Sequence, residues 1–270
     1  MTGRIYSIVA QCGSATIAFG ETIWGMVTLL YDTLCELLNM LSKKEYGSSY
    51  KQIVSQILFT GVEALGLVSI IAIVCGVTIV IQAMTNMPKL GASEYFGNLL
   101  VVIVVRELGP FFTSLVIIGR SGAALAAYIG NMRVSKEVAA LEVMGIDPIH
   151  YLVLPAFVGI VVSMICLTVY FSLIAIVGGL MVAGITVHMP LGIFFAKVFE
   201  AISFGRDILP MLIKTFLFGV TIATISCYYG LTVNNIREVP KVTIKSVVSS
   251  MIATIGINGI VTILMFLYIK

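Results

Sequence analysis

Three charged residues, Arg106, Glu107 and Arg120, lie within an apolar stretch that extends from Tyr95 to about Gly130. A charge at the centre of a bilayer costs about 2.5 to 3.5 kcal/mol on helix-insertion scales, so such a residue usually faces a protein-lined or water-filled cavity. Adjacent side chains on an α-helix point about 100° apart. We therefore expect Arg106 and Glu107 to have separate partners, either in salt bridges between helices or in a binding site.

Arg120 and Glu63 are expected to have structural roles. Arg120 lies between Gly119 and Gly122, and we expect it to extend toward the membrane surface or to pair with a neighbouring helix. Glu63 directly precedes a long uncharged run. We expect it to mark the end of a membrane span.

No set of residues predicts catalysis or a metal site. The sequence shows no combination of nucleophile, base and orienting group, and His150 and His188 have no partner at ligand spacing. The five cysteines are odd in number and widely spaced, which indicates core residues rather than disulfides. A Gly-x-x-x-x-Gly-Lys-Ser/Thr phosphate loop is also missing, so energy must come from another chain or from an ion gradient.

The composition predicts a membrane protein. Of the 270 residues, 59% are hydrophobic and 11% are charged, and the mean hydropathy is +1.09. A soluble domain carries roughly 25% charged residues. The net charge of +3 is small and the basic residues are scattered, which argues against a nucleic-acid surface. The fold class that follows is an all-α integral membrane protein.

About five transmembrane helices are predicted within a single domain that covers residues 1–270. A helix needs about 20 mainly apolar residues to cross the hydrocarbon core, and the candidate regions are 64–86, 96–130, 151–186, 213–234 and 246–269. The third region is long for one crossing. We expect Gly178 and Gly179 to bend it or let it extend beyond the bilayer, and a hairpin at 151–187 would invert the last span.

Residues 14–42 predict an amphipathic helix at the membrane interface. Apolar side chains recur there at spacings of three and four, with polar residues mainly between them; they are Trp24, Val27, Tyr31, Leu34, Leu38 and Leu41. The acidic residues of this segment argue against a span. A coiled-coil seam is the alternative, although the pattern lasts barely three heptads.

The distribution of basic residues favours a cytoplasmic N-terminus. With five spans, nine Lys and Arg residues lie inside, namely Arg4, Lys43, Lys44, Lys51, Arg133, Lys136, Arg237, Lys241 and Lys245. Five lie outside, namely Lys89, Lys197, Arg206, Lys214 and Lys270. Loops with more Lys and Arg usually face the cytoplasm.

A short helix is predicted at 134–145, between the second and third spans. Val134, Val138, Leu141 and Met144 form one apolar face, whereas the remainder is polar. Ser135 is expected to cap its start, and Gly145 to end it in a left-handed conformation. Asp147 and Pro148 then begin the next helix. This helix either rests on the headgroups or docks a partner, whose movement it would pass to the flanking spans.

Several segments together resemble the MlaE family, the permeases of ABC transporters that move lipids with mammalian-cell-entry (MCE) proteins. The resemblance extends from about residue 50 to the C-terminus, and its motifs are Arg106-Glu107-Leu108-Gly109-Pro110, Gly119-Arg120-Ser121-Gly122, Gly130, Glu137, Ala140-Leu141-Glu142, Met144-Gly145 and Asp147-Pro148. The N-terminal 45 residues contain no distinctive match.

The resemblance implies a homodimer of five-span subunits in the inner membrane, with no cofactor. It implies a lipid pocket between the two copies, opening toward a periplasmic MCE protein. It also implies that 134–145 is a coupling helix on a cytoplasmic ABC ATPase, docked through Val134, Glu137, Val138, Leu141, Glu142, Met144 and Gly145. ATP would then be hydrolysed by that separate subunit, and the chain itself would not be an enzyme.

Phospholipid as the substrate follows from the resemblance alone. The headgroup candidates are Arg106 and Glu107. The wall candidates for the acyl chains are Ile73, Val77, Ile81, Leu264 and Leu267, although residues of this kind more often serve plain helix packing. The alternative function is a stand-alone ion-coupled secondary transporter, suggested by the charges within the apolar stretch but not by any inverted repeat. A membrane-embedded lipid enzyme comes third.

Overall fold

The computed structural model describes residues 2–43, 49–86, 101–186, 192 and 204–269. These residues form helices and turns, and no strand occurs among them. The α-helices are α1 (Thr2–Lys43), α2 (Ser49–Thr60), α3 (Leu65–Asn86), α4 (Gly109–Ile117), α5 (Ala123–Val134), α6 (Glu137–Val143), α7 (Leu154–Thr186), α8 (Leu209–Leu231) and α9 (Val239–Ile269).

Five helical segments are long and apolar enough to cross a membrane, which confirms the predicted fold class. They are Tyr50–Asn86, Val101–Val134, Ile149–Val182, Gly205–Leu231 and Ile236–Leu267. Residues 96–100, at the start of the predicted second span, lie outside the described residues. The first segment has 37 residues, or about 55 Å at 1.5 Å per residue, against a hydrocarbon core of about 30 Å. Part of it must therefore lie beyond the core.

Helices α3 and α7 pack so closely that glycine is required at their contact. A side chain at Gly76 would overlap the carbonyl oxygen of Ala175, and one at Gly179 would overlap Val80. Gly178 and Gly179 therefore allow close helix approach. They do not mark a hairpin, because α7 continues as one helix from Leu154 to Thr186.

Helix α8 occupies the centre of the bundle. It packs against α7 on one side and against α5 and α9 on the other, and its span is the most buried of the five, at 56%. Large side chains such as Phe171, Phe218 and Met164 are fully enclosed there. The last span is only 17% buried, so most of α9 faces outward.

The N-terminal helix α1 is longer than the predicted 14–42 and lies against α8 and the start of the third span. Its apolar residues Trp24, Tyr31 and Leu38 are 63 to 74% exposed, so its apolar face points away from the protein. Glu36 fixes the helix through a contact of 2.9 Å between its Oε1 and His150 Nδ1. This arrangement suits a helix on the membrane surface.

The short helix α6 is bounded by two left-handed residues. Lys136, with φ of +61°, occupies its N-cap, so the prediction that Ser135 caps the helix is wrong. Ser135 instead ends α5. The predictions for the other end are confirmed: Gly145 has φ of +75°, and Asp147 Oδ1 accepts a hydrogen bond of 2.9 Å from the Ile149 amide.

Candidate functional site

A buried cluster of polar side chains joins the second, fourth and fifth spans. Lys214 Nζ on α8 donates to Glu107 Oε2 at 2.6 Å and to Thr262 Oγ1 on α9 at 2.8 Å. The Thr262 hydroxyl in turn donates to Glu107 Oε2 at 3.2 Å. Lys214 is completely buried, and a buried charge is tolerated only where it is paired and hydrogen-bonded. Glu107 therefore anchors the ammonium group inside the bundle.

Arg106 adds a second cationic side chain to this cluster. Its Nε lies 3.5 Å from Glu107 Oε1, yet this buried nitrogen makes no hydrogen bond to the described protein atoms. The expectation of separate partners is therefore only half right, since Glu107 contacts both Arg106 and Lys214. Both residues lie on the π-helical segment Val101–Leu108, whose wider turn brings adjacent side chains closer than an α-helix does.

Lys214 is the site residue that the sequence analysis missed. The predicted fourth region, 213–234, put it at the outer boundary, whereas the structural segment begins at Gly205 and buries it. Pro210 is the residue that could have revealed the earlier start of this helix, because proline favours the first turn of a helix. It lies in the first turn of α8, which makes Lys214 an interior residue.

Charged or titratable side chains coincide with π-helical turns throughout the described part of the chain. Such turns are rare and are frequently found at functional sites. The four segments are Val101–Leu108 with Arg106 and Glu107, Ile118–Gly122 with Arg120, Ile149–Val153 with His150, and Phe204–Ile208 with Arg206 and Asp207. Hydropathy periodicity does not register these single-residue insertions.

Arg120 ties the second span to the end of α2. Its Nη1 donates to the Phe59 carbonyl at 2.8 Å, and the guanidinium lies 5.1 Å from the centre of the Phe59 ring. Its Nη2 forms a salt bridge with Glu63. This confirms that Arg120 pairs with a neighbouring helix and gives Glu63 a structural partner.

The predicted acyl-chain residues lie on two separate surfaces. Ile73 and Ile81 on α3 are 43 and 45% exposed, Leu264 and Leu267 on α9 are 59 and 66% exposed, and Val77 is half-buried. Helix α3 packs chiefly against α7, whereas α9 packs chiefly against α8 and α5. The two groups of predicted residues therefore lie on helices with different main packing partners.

The predicted docking residues divide into two groups. Val138 and Leu141 are buried with Leu152 at the start of the third span and hold α6 in place, whereas Val134 is half-buried at the end of α5. The exposed group consists of Glu137, Glu142, Met144 and Gly145; together with their exposed neighbours Val143 and Ile146, they are here termed the α6 surface. Val143 is 89% exposed, although the sequence analysis did not single it out.

Known proteins resemble the chain over nearly its full length. A probable ABC transporter permease protein of Rickettsia prowazekii is 32% identical over 97% of this chain and 99% of its own length. The intermembrane phospholipid transport system permease protein MlaE of Haemophilus influenzae is 27% identical over 97% of this chain and 98% of its own length. A chloroplast protein of Arabidopsis thaliana, TRIGALACTOSYLDIACYLGLYCEROL 1, is 29% identical over 75% of this chain and 58% of its own length.

The family model described as Permease MlaE matches residues 53–264. This range contains all five membrane segments except for their first or last few residues, together with the Arg106, Glu107 and Lys214 cluster and α6. The predicted resemblance is thereby confirmed, and the chain belongs to the MlaE permease family.

Proposed function

We propose that this chain is the membrane-spanning subunit of an ABC transporter that moves phospholipid between the inner membrane and a periplasmic MCE protein. A separate cytoplasmic ATPase supplies the energy, and two copies of the chain form the transport path. The name of the Haemophilus relative supports phospholipid as the substrate class. The observation that carries the proposal is a polar cluster in which two cationic side chains share one carboxylate inside an apolar bundle.

Arg106 is the group that we assign to the headgroup phosphate. A guanidinium binds a phosphate through parallel, charge-assisted hydrogen bonds, and the Arg106 Nε has no hydrogen-bond partner among the described atoms. Glu107 and Lys214 hold the cluster together through their 2.6 Å hydrogen bond. The acyl chains then lie along Ile73, Val77, Ile81, Leu264 and Leu267 where α3 and α9 of two copies meet.

The α6 surface is the proposed contact for the ATPase. Helix α6 has a left-handed residue at each end and is fixed by Val138 and Leu141 against Leu152 of the third span. A force on its exposed side therefore acts on both flanking spans, because packed elements move as units. This assignment places α6 and the N-terminus on the cytoplasmic side of the inner membrane.

Charge removal at the cluster tests the headgroup assignment. We expect Arg106→Gln and Glu107→Gln to lower phospholipid transfer by the reconstituted transporter about tenfold or more, since a hydrogen bond to a charged group contributes about 1.5 to 3 kcal/mol. Arg237→Gln, at an exposed site outside the cluster, is the control. Full transfer by both cluster variants, each with normal folding, would rule out the assignment.

The buried ion pair is the observation that favours the alternative function, an ion-coupled secondary transporter. Ionisable residues inside a membrane often form relays in such proteins, and Glu107 with Lys214 is a candidate. The purified chain in proteoliposomes with an ion gradient is expected to move no phospholipid. Gradient-driven transfer would favour the alternative.

A further inference from the structure

A groove runs between α2 and α5, with the start of the third span as its floor. Two adjoining cavities of about 270 and 240 Å³ form it, and both are lined by Ser55, Gln56, Leu125 and Tyr128. The two walls pack against other helices rather than against each other, which leaves a groove between them: α2 packs against α7, whereas α5 packs against α8 and α9.

The groove lies at the level of the lipid headgroups on the side of α6. Helix α3 has 22 residues and, at about 33 Å, already crosses the hydrocarbon core. Helix α2 precedes it and therefore extends past the core, on the side to which α5 leads through α6. Tyr128 is 53% exposed and Ser55 is exposed, so the groove is open to its surroundings.

Its lining is suited to the polar part of a phospholipid. Ser55, Gln56 and Tyr128 carry side-chain groups that can donate hydrogen bonds to ester carbonyls and phosphate oxygens. Leu125 provides an apolar wall, and Phe59 and Ile160 extend this wall in the 270 Å³ cavity. Polar and apolar groups therefore line the same groove, which suits a molecule that has both characters.

The two ends of the groove differ in charge. Beyond the inner end, marked by Phe59 and Ser121, Arg120 bonds the Phe59 carbonyl and Glu63, so its charge is already paired. At the outer end, Lys51 is exposed one helical turn before Ser55, on the same face of α2. A phospholipid therefore fits with its phosphate at the cationic outer end, near Lys51, and its acyl chains at the inner end, toward Phe59.

We propose that this groove binds a phospholipid from the leaflet on the α6 side, with its phosphate near Lys51 and its glycerol esters at Ser55, Gln56 and Tyr128. The site is separate from the Arg106 and Glu107 cluster, because Arg120 lies 13 positions after Glu107, which corresponds to about 20 Å of helix. The bound lipid bridges α2 and α5 and so steadies the helix that leads to α6.

Photocrosslinking tests this site. The transporter is placed in phosphatidylethanolamine nanodiscs that contain a phosphatidylglycerol with a diazirine near its glycerol, and labelled peptides are mapped by mass spectrometry. We expect labels concentrated in 52–60 and 124–129. Gln56→Leu and Tyr128→Phe should each lower this labelling about fivefold, the effect of one lost hydrogen bond, and Lys51→Gln should lower the preference for phosphatidylglycerol over phosphatidylethanolamine.

Thr78→Leu is the matched control, because Thr78 is an exposed residue of the same span and bonds only the Val74 carbonyl. Equal labelling of the groove in this control and in the Gln56 and Tyr128 variants, or labels spread evenly over all lipid-facing helices, would overturn the proposal. Ser55→Leu, at an exposed site that folding should tolerate, provides a second variant. Arg106→Gln should leave groove labelling intact, so failure of the transport assignment and failure of this site are distinguishable.

Discussion

The ammonium group of Lys214 is the most constrained charge in the described part of the bundle. It is fully buried and depends on Glu107 and Thr262 for its hydrogen bonds. Removing one partner of a buried ion pair costs about 3 to 5 kcal/mol, because the other charge is then left unpaired, whereas replacing both partners is much less costly. The pair should therefore behave as a unit.

We predict that Glu107→Leu lowers stability by about 3 kcal/mol and that adding Lys214→Met restores much of it. Thermal unfolding of both single variants and of the double variant measures the coupling between the two residues. Leu217→Met, one turn along α8 at a half-buried position, is the control for the methionine. Strictly additive losses would contradict an ion pair.

A row of buried polar atoms on α9 has no hydrogen-bond partner among the described residues. It contains Ser246, Ser250, Thr254 and Asn258, which recur every four residues. Elsewhere in the bundle, threonines such as Thr168 donate to the carbonyl four residues earlier. An unsatisfied buried hydroxyl costs about 1 to 3 kcal/mol.

We predict that Thr254→Val raises the stability of the protein by about 1 kcal/mol, because it removes an unpaired hydroxyl without changing the shape of the side chain. Thr168→Val is the matched control: it is equally buried but loses a hydrogen bond, so its stability should fall or stay unchanged. Thermal unfolding in the same detergent compares them. A loss of stability in Thr254→Val of the size seen in the control would refute the prediction.

At the residue scale, the sequence identified Arg106 and Glu107 because charges interrupt an apolar run. It did not reveal that Glu107 bonds Lys214, since that contact joins residues 107 positions apart. It also placed Val138 and Leu141 in the docking contact, whereas they are buried against Leu152. An amphipathic pattern shows that a helix has an apolar face but does not tell whether this face meets the protein or a partner.

At the element scale, the α6 surface combines the carboxylates of Glu137 and Glu142 with exposed apolar side chains. Val143 and Met144 are 89 and 64% exposed, and neither contributes to the small buried cluster that holds the helix. Substitution at Val143 should therefore affect a partner without affecting folding.

We predict that Val143→Glu abolishes copurification of the ATPase, because it puts a charge at the centre of the proposed contact. The variant is expressed with its ATPase, and the bound fraction is measured after mild extraction. Ile236→Glu is the control, since Ile236 is also a well-exposed apolar residue, at 68%, but lies outside the α6 surface. Undiminished ATPase binding by Val143→Glu would count against the proposed contact.

The five spans were predictable because an uncharged apolar run of about 20 residues in a helical chain usually crosses a membrane. The break between α2 and α3 was not predicted. Glu63 suggested the end of a span, but in the structure it lies in a 3₁₀ turn between the two helices and pairs with Arg120. The π-helical turns were also missed. One inserted residue rotates the following side chains by about 100°, but in a run that is apolar nearly all round this rotation leaves no visible change of pattern.

At the scale of the whole molecule, the last span is the least buried of the five described spans, and the exposed side of α9 is mainly apolar. Ile252, Ile255, Ile260 and Ile263 are 55 to 67% exposed, and Leu264 lies beside them. Lipid would cover such a surface equally well, so pairing between copies requires direct measurement.

We predict a dimer in which Leu264 of one copy lies near α3 or α9 of the other. Ile73→Cys on α3 and Leu264→Cys on α9, combined in a cysteine-free background, should form a crosslinked dimer with a short thiol reagent in nanodiscs. Val169→Cys, at an exposed position on α7, should not. Crosslinking at equal levels in both variants, or a single copy in native mass spectrometry, would contradict the predicted dimer.

The central claim is that this chain provides the path for a phospholipid while a second protein provides the energy. Transfer of labelled phospholipid is measured in proteoliposomes that hold the chain alone, the chain with its ATPase and MCE partners, and the same assembly without ATP. The account predicts transfer only in the complete assembly with ATP. Transfer by the chain alone, or at the same rate without ATP, would contradict it.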